Sequence, residues 1–498
     1  MKDFLKILFV SAECAPYAKT GGLGDVMASL PVYLNKLGHD SIIVIPGYSF
    51  IDRSVFRIDI AIKNMNVRMG YENIICNVNK TLLDDNVTVY MIDYDPFFGR
   101  PNIYHDDNFN DYPDNPKRFA FLAKAALQLC HELQFKPDIV HAHDWHTAIL
   151  SAYLKRTYKD DPIFSETASI LTIHNLAYQG MYDRSNYDYT GLWREDFTPD
   201  KFECYNAVNF LKGGIFFADI VNTVSPGYAL ETKTSMGGFG LDAFLNAKGD
   251  NYMGILNGAD YHSWDPAKDP LIPANFTAGN LSGKSVCKTV LQERFGLDQS
   301  KSKPIIGIVS RLVEQKGFYI LNECIDAIIN NMDVQFAILG SGDNRLESFY
   351  GNLGQRYPGK TGSFIGYDNQ LAHLIEAGSD FFLMPSLFEP CGLNQIYSLK
   401  YGTLPVVRAT GGLRDTVDNY DQATGKGTGF VFYEASGKAI YNTVGWALET
   451  YYNRKNHMER LIKRAMKQDF SWDKSAEEYV RLYSKALKTK LYDRNRKY

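Results

Sequence analysis

Short apolar runs alternate with longer stretches of helical spacing through the first half of the chain. "ILFVSA" (7–12) precedes "VMASLPVYLNKLG" (26–38), and "SIIVIP" (41–46) follows. The short runs have the length of buried strands, and Gly38 stands where a helix would end on a glycine. Further on, "RFAFLAKAALQLCHEL" (118–133) predicts a helix, "DIVHAHD" (138–144) a strand, "HTAILSAYLKRTY" (146–158) a helix and "ASILTIHN" (168–175) a strand. Strands that recur with helices between them predict a parallel sheet with helical crossovers, an α/β fold class.

A stretch rich in Pro, Gly, Asn and Asp, "NGADYHSWDPAKDPLIPANFTAGNLSGK" (257–284), has the composition of a connector. After it the alternation starts over with "PIIGIVS" (304–310), "FYILNECIDAIIN" (318–330), "VQFAILGSG" (334–342), "AHLIEAG" (372–378), "DFFLMPS" (380–386), "NQIYSLKYG" (394–402) and "LPVVRAT" (404–410). The restart predicts a first domain over 1–255 and a second over 262–470, with the boundary near 255–262. A length of 498 residues agrees with two hydrophobic cores. The segment 471–498 predicts a closing helix with Trp472, Ala476, Tyr479, Tyr483, Ala486 and Leu487 on one face, ending in a frayed, charged "KTKLYDRNRKY". The acidic "HDDNFNDYPDNP" (105–116) reads as a surface loop.

Composition narrows the function classes. A formal charge of −4 argues against general nucleic-acid binding, which draws on a clustered excess of Lys and Arg. The seven cysteines are scattered without a Cys-x-x-Cys pair, which predicts reduced thiols in a cytoplasmic protein. No apolar run approaches the roughly 20 residues of a spanning helix. The opening run is interrupted by Glu13, which suits a first core strand better than a cleaved signal. High aromatic content, 14% with 33 tyrosines, is compatible with sugar handling.

Candidate chemistry sits where strands give way to helices. "KTGGLGDV" (19–26) puts Lys19 beside Gly21 and Gly22, either as an anion-facing loop or as a plain tight turn, and "ATGGLRDTV" (409–417) repeats the hexad. "SRLVEQKGF" (310–318) places Arg311 and Lys316 at a strand end, either as two cations that converge on a diphosphate or as unrelated surface cations. "PSLFEPCGLNQ" (385–395) sets Glu389 and the N–H groups of Cys391, Gly392 and Leu393 at another, either to grip a hydroxylated, phosphate-bearing ligand or as a capped helix with a solvated Glu, and Cys391 reads as a buried structural thiol. "HAHDWH" holds His141, His143 and His146, but without metalloprotease spacing or an indicated partner ligand, so no metal is assigned. His174, in "TIHN", ends a strand as either a site residue or a core histidine.

Together, "KTGGLGDV", "DIVHAHDWHTA", "TIHNLAYQG", "GGIFFADIVNTVSPGYALE", "GILNGADY", "DPLIPANF", "SRLVEQKGF", "PSLFEPCGLNQIYSL" and "VVRATGGLRDTV" resemble the bacterial glycogen synthases and plant starch synthases, glycosyltransferase family 5, over nearly the whole chain. The resemblance implies a GT-B fold, two Rossmann-like domains facing across a deep cleft, with the last helix crossing back to the first domain. It implies retaining transfer of glucose from ADP-glucose to the non-reducing 4-OH end of an α-1,4-glucan, without a metal or other cofactor. Lys19, Gly21 and Gly22 would then contact donor phosphate, Asp25 would order the sugar side, and His174 supported by Asn175 would touch the donor glucose. Arg311 and Lys316 would hold the diphosphate. Glu389 with the Cys391, Gly392 and Leu393 N–H groups would hold glucose and phosphate, and Tyr367 would stack on adenine. Tyr397 takes the second place of a Glu-x7-Glu pattern seen in other retaining transferases, as is usual in family 5. Two rival readings stay open here: a nucleotide-sugar transferase with a small acceptor, and a non-catalytic glucan-binding scaffold.

Overall fold

The computed structural model describes residues 4–84, 86–108 and 110–495. The chain forms two compact units: unit 1 is residues 1–224, 229–258 and 472–498, and unit 2 is residues 225–228 and 259–471.

Unit 1 holds, in chain order, β1 (Lys6–Val10), β2 (Asp40–Pro46), β3 (Asp59–Met69), β4 (Glu72–Leu83), β5 (Val87–Asp93), β6 (Ile139–His143) and β7 (Ala168–Ile173). There follow β8 (Met181–Asp183), β9 (Glu203–Cys204), β10 (Ala207–Asn209), β11 (Ile220–Thr223) and β12 (Tyr252–Gly254). Nine of these form one sheet in the order β12-β11-β7-β6-β1-β2-β5-β4-β3, and β8-β10-β9 make a small ribbon. The strands from β12 to β5 run parallel, and β4 is antiparallel to both β5 and β3. Ile7 to Val10 are wholly buried, as a strand covered on both faces requires. The helix Gly22–Lys36 follows β1 and ends as the sequence predicts, with Gly38 at φ +91° and its N–H donating to the Asn35 carbonyl at 3.0 Å.

Unit 2 holds β13 (Ile305–Val309), β14 (Gln335–Gly340), β15 (Thr361–Ile365), β16 (Phe381–Met384), β17 (Leu404–Arg408) and β18 (Phe430–Phe432). They form one sheet, all parallel, in the order β15-β14-β13-β16-β17-β18. In each unit the sheet grows outward from its first strand and then reverses to grow on the other side. The reversal falls at β1/β6 in unit 1 and at β13/β16 in unit 2. Open α/β sheets bind ligands at that reversal, beyond the C-terminal ends of the strands.

The helix Trp472–Asn495 belongs to unit 1. Trp472, Ala476, Tyr479, Tyr483 and Ala486 are buried, while Leu487 is only half-buried. The helix continues to Asn495 rather than fraying within "KTKLYDRNRKY"; residues 496–498 lie outside the described residues.

Other differences from the sequence reading have local causes. The sequence reading does not include the long antiparallel pair β3/β4, because exposed Ile60, Ile75 and Leu82 interrupt its polar outer face and its register slips at Ile60–Met65. "HTAILSAYLKRTY" forms two short helices, Asp144–Ala148 and Leu150–Lys155, and "FYILNECIDAIIN" divides at Cys324, whose φ of −131° leaves the helical region. The 257–284 stretch is more than a connector. Ile272 and Phe276 are buried in unit 2 with Cys287, Ala377 and Tyr401, and half-buried Trp264 packs against them.

Candidate active site

In unit 1 the loop after β1 is built around a carboxylate. Glu13 is 3% exposed. It accepts hydrogen bonds from the Thr20 N–H (2.7 Å), the Thr20 hydroxyl (2.7 Å), the Gly21 N–H (3.1 Å) and the Tyr104 hydroxyl (2.6 Å). A buried carboxylate with this many donors fixes the backbone of "KTGG" where it enters the helix. Lys19 Nζ lies 2.6 Å from Asp25, with both side chains substantially open to solvent. Such a pair contributes roughly 0–1 kcal/mol and yields readily to a stronger anion. A Cβ on Gly21 or Gly22 would meet nothing within 4 Å, so protein packing does not require these glycines.

The end of β6 positions the end of β7. Asp144, at φ +54°, accepts the His174 N–H at 2.7 Å, and the Asn175 N–H also bonds to it. Asn175 in turn accepts the Ala177 N–H at 3.1 Å. His174 Nε2 is 3.0 Å from His143 Nδ1. His141 stacks on His143, ring centroids 4.3 Å apart, and both its nitrogens are engaged, by the Tyr483 hydroxyl at 3.0 Å and the Thr172 hydroxyl at 2.6 Å. His141 and His143 thus serve a packed ladder of stacked and hydrogen-bonded rings, His146 packs among Tyr104, Phe119 and Trp145, and no cluster of metal-ligand type occurs among the described residues.

In unit 2 the reversal point brings Lys316 and Glu389 together. Lys316 Nζ is 2.6 Å from Glu389 Oε2, with side-chain exposures of 19% and 6%. The Ser386 hydroxyl donates to the same oxygen at 3.1 Å. The two loops are clamped by the Leu387 N–H to the Gln315 carbonyl (2.8 Å) and by Gln315 Nε2 to the Phe388 carbonyl (3.3 Å). From β17, Arg408 donates to the Ser386 carbonyl at 2.8 Å and to the Leu387 carbonyl. Gly317 is at φ +76°, and a Cβ there would lie 1.9 Å from the Pro385 carbonyl oxygen. Only glycine fits.

Arg311, at the end of β13, is exposed, and its guanidinium makes no hydrogen bond or ion pair with other described residues. Asn394 Nδ2 ties the start of the next helix to the Val309 carbonyl at 2.6 Å. Cys391 is buried, while Gly392, at φ +71°, and Leu393 are half-buried. Tyr367 is 78% exposed beyond β15, so its ring face is open. Tyr397 does different work: it is buried and stacks on Trp264 at 4.2 Å, which stacks on His373 at 3.7 Å.

The repeated hexad has unlike duties in its two places. In the second copy a Cβ on Gly411 would lie 1.9 Å from the Glu389 carbonyl oxygen, and one on Gly412 would lie 2.1 Å from that of Cys391. The Gly412 N–H donates to the Glu389 carbonyl at 3.0 Å. Asp415 accepts the Gly227 N–H at 2.7 Å within unit 2. This copy is a backbone press that shapes the Glu389–Cys391 loop. Sequence reasoning gave Glu13 and Asp144 no part in the site and weighed His143 only as a metal ligand. An acidic residue within three positions of the end of a buried strand was the available signal for Glu13 and Asp144.

Residues 6–247 match the family described as Starch synthase catalytic domain, and residues 291–468 match Glycosyl transferases group 1. "Glycogen synthase 1" of Geobacter sulfurreducens is 46% identical, the alignment covering 98% of this chain and 97% of that one. "Glycogen synthase" of Thermotoga maritima is 42% identical over 97% of this chain and 99% of its own. The chain belongs to the glycogen and starch synthase family. Among solved structures, the catalytic domain of starch synthase IV from Arabidopsis thaliana, bound to ADP and acarbose, superposes with a TM-score of 0.89 at 33% identity, covering 97% of this chain and 99% of that chain. A sucrose-phosphate synthase from Thermosynechococcus elongatus shares the fold at a TM-score of 0.61 and 14% identity, over 96% of this chain and 98% of its own. This member of the glycogen and starch synthase family is therefore a GT-B hexosyltransferase. No helix among the described residues is long and apolar enough to cross a membrane.

The two glycine pairs differ in what a side chain would meet, and substitution separates them. Gly412→Ala is expected to lower stability by about 1–3 kcal/mol through overpacking. Gly21→Ala, at an open helix start, should cost under about 1 kcal/mol. Urea unfolding of both variants checks this, and equal losses would contradict it.

Burial also sets a pH dependence in unit 1. It holds His141 and His143 well below their ordinary value, and His146 and His174 down to about 3. Bases kept neutral in the fold but free to protonate in the unfolded chain cost stability as pH falls below 6.5, by about 1.4 kcal/mol per pH unit for each. Asp144, raised by burial to about 7 from 3.8, and Glu376 in unit 2, raised well above its ordinary value by burial, act in the opposite sense, but as two groups against five once His39, also lowered by burial, is added to the four. The urea midpoint is expected to be lower at pH 5 than at pH 7; an equal or higher midpoint would refute the assignment.

Proposed function

We propose that this enzyme transfers glucose from ADP-glucose to the non-reducing 4-OH end of an α-1,4-glucan, with retention of configuration, releasing ADP. The observation that carries this reading is the Lys316–Glu389 pair, Nζ to Oε2 2.6 Å, at the reversal point of a Rossmann-ordered sheet, with Arg311 at the end of the same sheet's first strand. The ADP and acarbose of the starch synthase IV structure, a relative at 33% identity, support the choice of nucleotide and of glucan.

As the glycosidic bond breaks, negative charge gathers on the departing diphosphate and positive charge on the sugar carbon. Lys316 and Arg311 stabilise the diphosphate, and fixed charges of this kind commonly dominate rate enhancement. Glu389 accepts from sugar hydroxyls, and the N–H groups of Cys391, Gly392 and Leu393 face sugar and phosphate oxygens. Tyr367 offers its exposed ring to adenine. In unit 1, Lys19 beside Asp25, the bare Gly21 and Gly22 backbone, and His174 with Asn175 offer a cation, close backbone approach and a ring nitrogen, the groups that suit phosphate and a sugar hydroxyl. No metal or organic cofactor enters this scheme. The seven free cysteines suit a reducing cytoplasm as its setting.

The test is ADP release with and without glycogen, compared for ADP-glucose and UDP-glucose. Glycogen-dependent release from ADP-glucose is expected, and its absence would refute the reading. Lys316→Ala should lower kcat on the order of a hundredfold. Near-wild-type turnover by a folded variant would remove Lys316 from this role.

A further inference from the structure

The wall behind His174 dictates which of its nitrogens carries a proton. Tyr483 on the C-terminal helix bonds His141 Nδ1 at 3.0 Å, and the Thr172 hydroxyl lies 2.6 Å from His141 Nε2. Thr172 gives its single hydroxyl proton to Asn222 Oδ1 at 2.7 Å, so toward His141 it can only accept. His141 therefore carries its proton on Nε2 and accepts the tyrosine hydroxyl at Nδ1. This neutral, fixed ring stacks on His143 with centroids 4.3 Å apart and planes at 28°.

His143 is fully buried. Its Nδ1 is 3.0 Å from His174 Nε2, and its own Nε2 is buried with no partner among the described residues. A short contact of two ring nitrogens needs one proton, which has two placements. With the proton on His174 Nε2, His143 would carry its own on Nε2, as a buried N–H without an acceptor. With the proton on His143 Nδ1, the orphan is only a lone pair. Buried N–H groups without partners are the rarer and costlier kind of orphan.

We infer that His143 is a positioning residue that donates from Nδ1 to His174 Nε2 and so fixes His174 as the Nδ1–H tautomer, presenting a hydrogen-bond donor to a substrate oxygen. The bond made by one ring nitrogen decides what the other can offer. Asp144 holds the His174 backbone at 2.7 Å while His143 holds its ring, so consecutive residues at the end of β6 determine both the place and the polarity of this contact. The catalytic consequence rests on the proposed contact of His174 with donor glucose; the tautomer does not.

The test uses the full-length chain with 15N-labelled histidine, the His174 signals being identified by their loss in His174→Gln. Long-range proton–nitrogen correlation in the absence of substrate is expected to show Nδ1–H at His174. His143→Leu should lose that fixed tautomer and lower kcat about 10-fold or more, the size usual for supporting partners of a functional histidine. His143→Asn, whose side-chain amide can place an N–H where Nδ1–H stood, should restore the tautomer and most of kcat. An Nε2–H tautomer in the wild type, an unchanged tautomer in the leucine variant, or an asparagine variant no better than leucine would each overturn the inference. Should His143→Leu fail to fold, the wild-type spectrum and the asparagine variant decide. Wild-type protein that releases no ADP from ADP-glucose would defeat the proposed function, while the spectrum would still decide the tautomer.

Discussion

A nearly buried ion pair, Lys316 with Glu389, is the interaction around which unit 2 is arranged. Taking both charges out of water costs several kcal/mol per ion, and their attraction repays this only when geometry is tightly held. The surrounding structure supplies that hold. Backbone and side-chain bonds join the 315–316 loop to 386–389, Arg408 grips two carbonyls of the same loop, and Ser386 bonds the carboxylate. Gly317, Gly411 and Gly412 let backbone approach backbone where any side chain would collide. On the proposed reading, a lysine fixed this way meets the diphosphate without reorganising, which is the condition under which charge is most effective in catalysis.

Unit 1 solves a similar problem with a different device. Glu13 gathers the donors of the glycine loop, and Asp144 gathers those at the end of β7. Behind them the histidine ladder reaches the Tyr483 hydroxyl on the C-terminal helix. The last segment of the chain is therefore part of the wall behind a candidate catalytic residue, and it is more than a closing strap.

The α/β alternation was legible because buried parallel strands read as short apolar runs and their crossovers as longer periodic ones. β3 and β4 were illegible because exposed Ile60, Ile75 and Leu82 break the apolar–polar alternation of a half-buried antiparallel pair, and because the register slips. At the site, residue types at strand ends marked Lys316 and Glu389, and the structure brings them to 2.6 Å. Sequence could not separate the two Thr-Gly-Gly-Leu-x-Asp copies, since an open glycine and a pressed one differ only in what lies above them. It likewise named His143 without its role, which depends on a bond to a residue one strand away in the sheet.

Calorimetric titration of ADP and of adenosine into the wild-type enzyme and into Lys316→Met tests most directly whether this lysine is held for a diphosphate. Loss of one charge-assisted bond of about 1.5–3 kcal/mol predicts ADP affinity roughly 10- to 100-fold weaker, with adenosine affinity unchanged. Unchanged ADP affinity, or equal weakening of both ligands, would contradict the account.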